Sequence, residues 1–251
     1  MGQSSLERER ADFAHWFESA PNSPLRIVIQ QPVGSGITIG PADSDVPLTG
    51  QPASRILESD GALSLTTGSA SHPLPRNRLL PLGRYTLFLG GERGRTVLSV
   101  FGAPHAAKAP AWYPPDSSFV LHGELLAAGT PRRVRVLSFD GIEVTGTDAG
   151  EFVTTIAGHG ARLRVYRLPD PDSGEDDLLI YFRDATSGQS TYPAGRFVPV
   201  IRGSNAGYVV DLNRARNPFC AYSTAYACPA PWPGNTIESP ITAGERYEVA
   251  R

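Results

Sequence analysis

Short apolar runs, each closed by glycine, proline, asparagine or aspartate, recur along nearly the whole chain and constrain its fold more than any other feature. In the first half they are Leu25–Ile29, Gly36–Ile39, Ala62–Leu65, Tyr85–Leu89 and Thr96–Phe101. In the second half they are Phe119–Leu121, Arg133–Phe139, Ile142–Thr145, Phe152–Ile156, Arg162–Leu168, Leu178–Asp184 and Arg196–Ile201, with turns reading FDG, TDAGE, GHG and PDPDSGED between them. Runs this short cannot build amphipathic helices. They predict strands joined by tight turns, and their even spacing predicts an antiparallel sandwich or barrel rather than a βαβ fold. One helix is expected, at the start of the chain. Ser4 and Glu7 have capping-box spacing, Leu6, Phe13, Trp16 and Phe17 fall near one face, and Pro21 ends it. A lone short helix is marginal in water, so it is expected to dock on a β body. The strand rhythm breaks at Ala103–Asp116. This divides the chain into a helix over 1–22, a small β-sandwich over 23–102 and a larger antiparallel β domain over 117–251.

Composition narrows the functional classes. At 251 residues, 40% of them hydrophobic and 19% charged, the chain can bury a core without help from disulfides. A net charge of −2 gives no footprint for nucleic acid or for an anionic membrane. No apolar run reaches membrane-spanning length and no apolar secretion segment opens the chain, so a cytoplasmic location is expected. Lys108 is the only lysine, which argues against Schiff-base chemistry. No G-x-S-x-G elbow, Walker loop or G-x-G-x-x-G fingerprint occurs, and no organic cofactor is expected.

The candidate chemistry gathers near the C-terminus. The run Asp211–Asn235 holds Phe219, Tyr222, Tyr226 and Trp232, more apolar surface than an exposed loop carries, and is expected to pack in a fixed shape. Its Cys220 and Cys228 admit a disulfide, a metal site or a nucleophilic thiol. The C-x7-C spacing and the absence of a nearby histidine disfavour zinc, so structural cysteines close enough to interact are expected. Asp184, Tyr192, Arg196, Asp211 and Asn213 form a second group. With a turn at Gly203–Gly207, Arg196 and Asp211 are expected at one end of a hairpin, within reach of Tyr192. Asp211 would serve as base, Tyr192 or Tyr222 as acid or oxyanion donor, and Arg196 and Asn213 would complete the polar centre. Asn217, Cys220, Tyr222, Asp184 and His122 are further ligand-binding candidates. His122 would share a strand face with Glu124. The T-S-G of Thr186–Gly188 suits either an anion-binding turn or a plain hairpin turn. Against all of these stands a structural reading, in which Asp and Asn at strand ends bond backbone and an Asp–Arg pair pins a hairpin.

Three sequence blocks carry a resemblance: FRDATSGQSTYPAGRF (Phe182 to Phe197), DLNRARNPFCAY with the following Cys228-Pro229 and Asn235, and the closing AGE ending at Glu245. The chain resembles the bacterial family named domain of unknown function 1684, strongly over its last third. Asp184, Thr186, Ser187, Gly188, Thr191, Tyr192, Gly195, Arg196, Asp211, Asn213, Asn217, Pro218 and Cys220 stand at the motif positions. A second, weaker resemblance lies in ITIGPADSDVPL, ASRILESDGALSL and LGRYTLFLGG, which are similar to a forkhead-associated sandwich. That family reads phosphothreonine with an arginine after the first glycine and a serine in an S-R-x-H element. Here Pro41 follows Gly40, and Ser54-Arg55 lacks the histidine, so the phosphate-reading set is incomplete. The expected function is an enzyme acting on a small organic substrate by acid–base or hydrolytic chemistry. The alternative is a non-catalytic β module that binds a small molecule or a protein.

Overall fold

The structure is a computed structural model that describes residues 3–105, 109–169, 176–204 and 207–247, with residues 3 and 4 described for their backbone alone. The Ser4 capping box and most of the PDPDSGED turn therefore lie outside the described residues. The chain is mainly β with one N-terminal helix, α1 (Gln3–Ser19). It divides into two compact units, one of His15–Ala107 and one of Met1–Ala14 with Lys108–Arg251.

The His15–Ala107 unit holds nine strands: β1 (Ile27–Pro32), β2 (Ile37–Gly40), β3 (Val46–Pro47), β4 (Ser54–Ser59), β5 (Ala62–Thr67), β6 (Ala70–Leu74), β7 (Leu79–Leu82), β8 (Tyr85–Gly90) and β9 (Val97–Phe101). They form two sheets, ordered β1-β9-β8-β7 and β3-β2-β4-β5-β6. Alternation sends Ile37, Ile39, Ile56 and Leu63 of one sheet and Leu87, Leu89, Leu98 and Val100 of the other into a common core. Gly40 is required where it stands. Its φ is +136°, and a Cβ there would lie 2.5 Å from the Pro52 carbonyl oxygen. A buried Glu58 carboxylate pairs with Arg76 and accepts from Gly94 N at 2.6 Å and Thr96 Oγ1 at 2.7 Å.

The other unit holds β10 (Ala111–Trp112), β11 (Val120–Leu126), β12 (Arg133–Leu137), β13 (Glu143–Ile156), β14 (His159–Pro169), β15 (Asp176–Asp184), β16 (Arg196–Pro199), β17 (Ile201–Arg202), β18 (Tyr208–Asp211), β19 (Thr236–Ile237) and β20 (Glu245–Arg246). The main sheet runs β16-β15-β14-β13-β11-β18-β17, with β12 on β13 and β19 on β15. β16 and β17 are two pieces of one strand broken at Val200. The first piece pairs with β15 and the second with β18, so the sheet returns to its start and nearly closes into a barrel. Phe152, Leu163, Val165, Ile180, Phe182, Val198 and Val210 fill one side of it. The opposite face of β14 and β15 is buried too, with Tyr166 and Tyr181 joining Phe197 and Trp232 in a second cluster.

One local expectation is corrected and another is extended. TDAGE is not a turn between two strands, because β13 runs through it as one strand of 14 residues with a register shift between Asp148 and Gly150. A β-bulge absorbs the turn-like residues. Gly150 has φ +112°, and buried Asp148 accepts from Gly150 N at 3.1 Å and from Arg164 at 2.7 Å. The extension concerns α1. Its first part is held by charge as well as by apolar residues: Arg10 donates to the carbonyls of Tyr113 at 3.0 Å and Asn213 at 2.9 Å, and Glu9 pairs with Arg214 and Arg216. Phe13 packs edge-on against Trp112 at 6.1 Å.

Candidate functional site

The C-terminal motif forms a buried polar network that ties irregular chain to the barrel. β15 ends at Asp184, whose Oδ1 accepts from Thr186 N at 2.8 Å and from Ile241 N at 3.1 Å. The first bond is an Asx turn that shapes the T-S-G segment, so Thr186–Gly188 spends its donors internally. Asp184 Oδ2 accepts from Arg196 at 2.8 Å. Arg196 is fully buried and also donates to the carbonyls of Ile241 at 3.0 Å, Glu245 at 3.3 Å, and Ala243. One guanidinium thus staples the segment 241–245, which has little sheet pairing of its own, to the first strand of the motif.

The asparagines act in the same way. Asn213 exchanges two hydrogen bonds with the backbone of Asp116, donating to its carbonyl at 2.8 Å and accepting from its N–H at 2.9 Å. Asn235 accepts from Arg164 N at 2.7 Å and donates to the carbonyls of Arg164 at 2.9 Å and Tyr181 at 3.1 Å. It takes the place of a strand residue where β14 and β15 part. Asn217 N–H donates to Glu245 Oε2 at 2.8 Å. Glu245 is 1% exposed, and burial raises its carboxyl pKa to about 8, against the opposing pull of Asn217, Arg216 and Arg196.

The expected meeting of Arg196 with Asp211 is not what the structure shows. β17 and β18 do pair antiparallel, with Ile201 opposite Val209. Further along, Phe197 faces Arg216, and Arg196 takes Asp184 as its carboxylate. Asp211 instead caps the turn Leu212–Arg214, accepting from Asn213 N at 3.1 Å and from Arg214 Nε at 3.2 Å. Tyr192 does reach the cysteine loop. Its hydroxyl donates to the Cys220 carbonyl at 3.0 Å. Burial, with Tyr247 nearby, raises its pKa. Cys220 and Cys228 form a disulfide, one of the three arrangements the sequence allows. Tyr226 and Trp232 are buried and Phe219 packs edge-on against Phe139 at 5.2 Å, so the loop is packed. Tyr222 is half-buried, closing the turn by donating its N–H to the Phe219 carbonyl at 2.9 Å. His122 and Glu124 both lie on an exposed strand face, and no hydrogen bond joins their side chains among the described residues. No group of three or more His, Cys, Asp or Glu able to hold a metal occurs among the described residues. No helix there is long and apolar enough to cross a membrane.

An open polar site lies in the His15–Ala107 unit. A cleft of about 370 Å³ is lined by Thr38, Asp43, Ser44, Ser54, Arg55 and Thr66. Strand register builds it: Thr38 stands opposite Arg55 and Arg55 opposite Thr66, so the three form a row on the outward face of β2, β4 and β5. The loop before β3 is fixed over this row by a reciprocal pair. Asp45 accepts from Thr38 N at 2.8 Å and Oγ1 at 2.7 Å, while Asp45 N donates to Thr38 Oγ1 at 2.9 Å. Those Thr38 hydrogen bonds lower the Asp45 pKa. Arg55 lies across Gly36 and donates to the Ser35 carbonyl at 3.2 Å. No salt bridge to it occurs among the described residues, but its charge adds to the lowering of the Asp45 pKa. Reasoning from the sequence noted Ser54-Arg55 but named neither Thr38 nor Thr66. The signal was the strand alternation, which sets all three on one face.

A family model described as "Protein of unknown function (DUF1684)" matches residues 108–246, more than half of the chain. No curated protein matches. Among solved structures the chain is similar to an uncharacterised protein of Haloarcula marismortui determined by solution NMR. The two are 26% identical over 55% of this chain and 76% of that one, with a TM-score of 0.46.

Proposed function

The chain belongs to the DUF1684 family, and we propose that it is a non-catalytic binding module, its amino-terminal sandwich a forkhead-associated-like reader and its C-terminal unit a scaffold. The cleft around Arg55 carries this reading. It offers the Arg55 guanidinium, which makes no salt bridge among the described residues although the Asp45 carboxylate feels its charge and Asp43 also lines the cleft, together with the hydroxyls of Thr38, Ser44 and Thr66 on paired strands. Such a surface suits an anionic group presented by an extended segment of a partner protein. Pro41 removes the arginine that forkhead-associated sandwiches place after the first glycine, so Arg55 is left to supply the charge. The competing reading is an enzyme acting on a small organic substrate through Asp211, Tyr192, Arg196 and Asn213. What favours binding over it is that Arg196 and Asn213 are buried and spend their donors on backbone and on Asp184 and Asp211.

The test is a titration with threonine peptides in three forms: phosphorylated, glutamate-substituted and unmodified. Binding of either anionic form, weakened roughly ten-fold or more by Arg55→Ala, is expected. Binding of no anionic form, or turnover of a small molecule that Asp211→Asn abolishes, would overturn the proposal.

A further inference from the structure

The two halves of the Cys220–Cys228 disulfide face different surroundings. Cys220 is buried in the turn Phe219–Ala221, whereas Cys228 is exposed. The Tyr192 hydroxyl lies 3.4 Å from each sulfur. Its ring is held edge-on against Tyr247, with centroids 4.8 Å apart. A disulfide that only braces a loop has no use for this arrangement. Thiol–disulfide exchange needs an accessible sulfur to attack and a stabilised thiolate to leave, and the pair offers both.

We propose that Cys220–Cys228 is a thiol–disulfide exchange site, at which an external dithiol attacks Cys228 and Tyr192 steadies the departing Cys220 thiolate. A thiolate of the dithiol bonds to Cys228 Sγ, the Cys228–Cys220 bond breaks, and its electron pair leaves on Cys220 Sγ. The Tyr192 hydroxyl then turns from the Cys220 carbonyl to that thiolate. The second thiol of the reductant attacks its own sulfur in the mixed disulfide and releases Cys228. Two electrons pass to the protein, the dithiol becomes a disulfide, and the two cysteines end with the two protons the dithiol has lost. Burial keeps the Tyr192 phenol protonated, so it stays a donor throughout. The reverse reaction closes the loop again. The site is independent of the cleft around Arg55.

Native protein treated with dithiothreitol tests this, with thiols counted and folding followed by circular dichroism. Both thiols should appear without denaturant and with the sheet signal intact. Excess oxidised glutathione should form a mixed disulfide on Cys228 of the reduced Cys220→Ser variant faster than on Cys220 of the reduced Cys228→Ser variant, as read by peptide mass spectrometry. Tyr192→Phe should slow reduction roughly ten-fold and raise the Cys220 thiol pKa, read from ultraviolet thiolate absorbance. A change that merely loosened the loop would speed reduction. A disulfide that opens only in denaturant, glutathione adding faster to Cys220 than to Cys228 in the single-cysteine variants, or Tyr192→Phe reducing as fast as the parent would overturn the proposal.

Discussion

The two units place their most conspicuous polar side chains differently. In the C-terminal unit Asp184, Arg196, Asn213, Asn217, Asn235 and Glu245 turn inward and bind backbone or one another. In the amino-terminal unit Thr38, Arg55 and Thr66 stand on the outward face of a sheet. The difference follows from regularity. The sandwich satisfies most of its strand backbone by pairing and needs fewer side chains for it, such as Glu58 and Asp45. The barrel is closed by segments with little ladder pairing, such as 212–235 and 238–244, and buried backbone groups there must find side-chain partners. A dense polar motif is therefore as much a mark of difficult architecture as of chemistry.

The sharpest way to break this contrast is at Arg196. Arg196→Met should destabilise the protein by about 3–5 kcal/mol, because Asp184 is left charged and buried and three carbonyls lose their donor. A thermal melt within a degree or two of the parent would show that the network is not architectural. Glu245 comes next. Its pKa is raised from 4.5 to about 8 in the folded protein. The folded state therefore holds an extra proton between those values. This stabilisation is fully present below pH 4.5, and stability falls as the pH rises to about 8, by up to ~1.4 kcal/mol per unit. Glu245→Gln should flatten that slope in denaturant titrations across this range. A smaller effect, about 2 kcal/mol, is expected for Asn235→Ala, which orphans the backbone of Arg164 and Tyr181. The smallest belongs to the other unit, where Arg55→Ala should change stability by less than ~0.5 kcal/mol. A large loss there would make Arg55 architectural too and erase the contrast.

Much of the fold was legible in the sequence because its signals are local. Alternation and turn residues reveal strands, and the aromatic content of 219–232 reveals a packed loop. What stayed hidden depends on register or on partners distant in sequence. Asp211 lies near Arg196 by hairpin logic, yet the break at Val200 and the pairing of Phe197 with Arg216 shift the register and leave Asp184 as the partner. TDAGE has turn chemistry, but a bulge spends it inside a strand. Arg10 and Glu9 carry no local signal of the partners they meet, Tyr113, Asn213, Arg214 and Arg216, all more than 100 residues away. Among the polar candidates, Arg196 pairs with Asp184 and Asn213 with Asp211. Their buried, backbone-directed use is a property of barrel closure, which no local pattern encodes.

The central claim is that ligand recognition belongs to the amino-terminal cleft and not to the motif. Backbone amide NMR of the whole protein, titrated with a phosphothreonine peptide, tests it directly. Saturable shifts centred on Thr38, Ser44, Arg55 and Thr66 are expected, with Tyr192, Asp211 and Asn213 unmoved. Shifts centred on Tyr192 and Asp211, with the cleft silent, would contradict it.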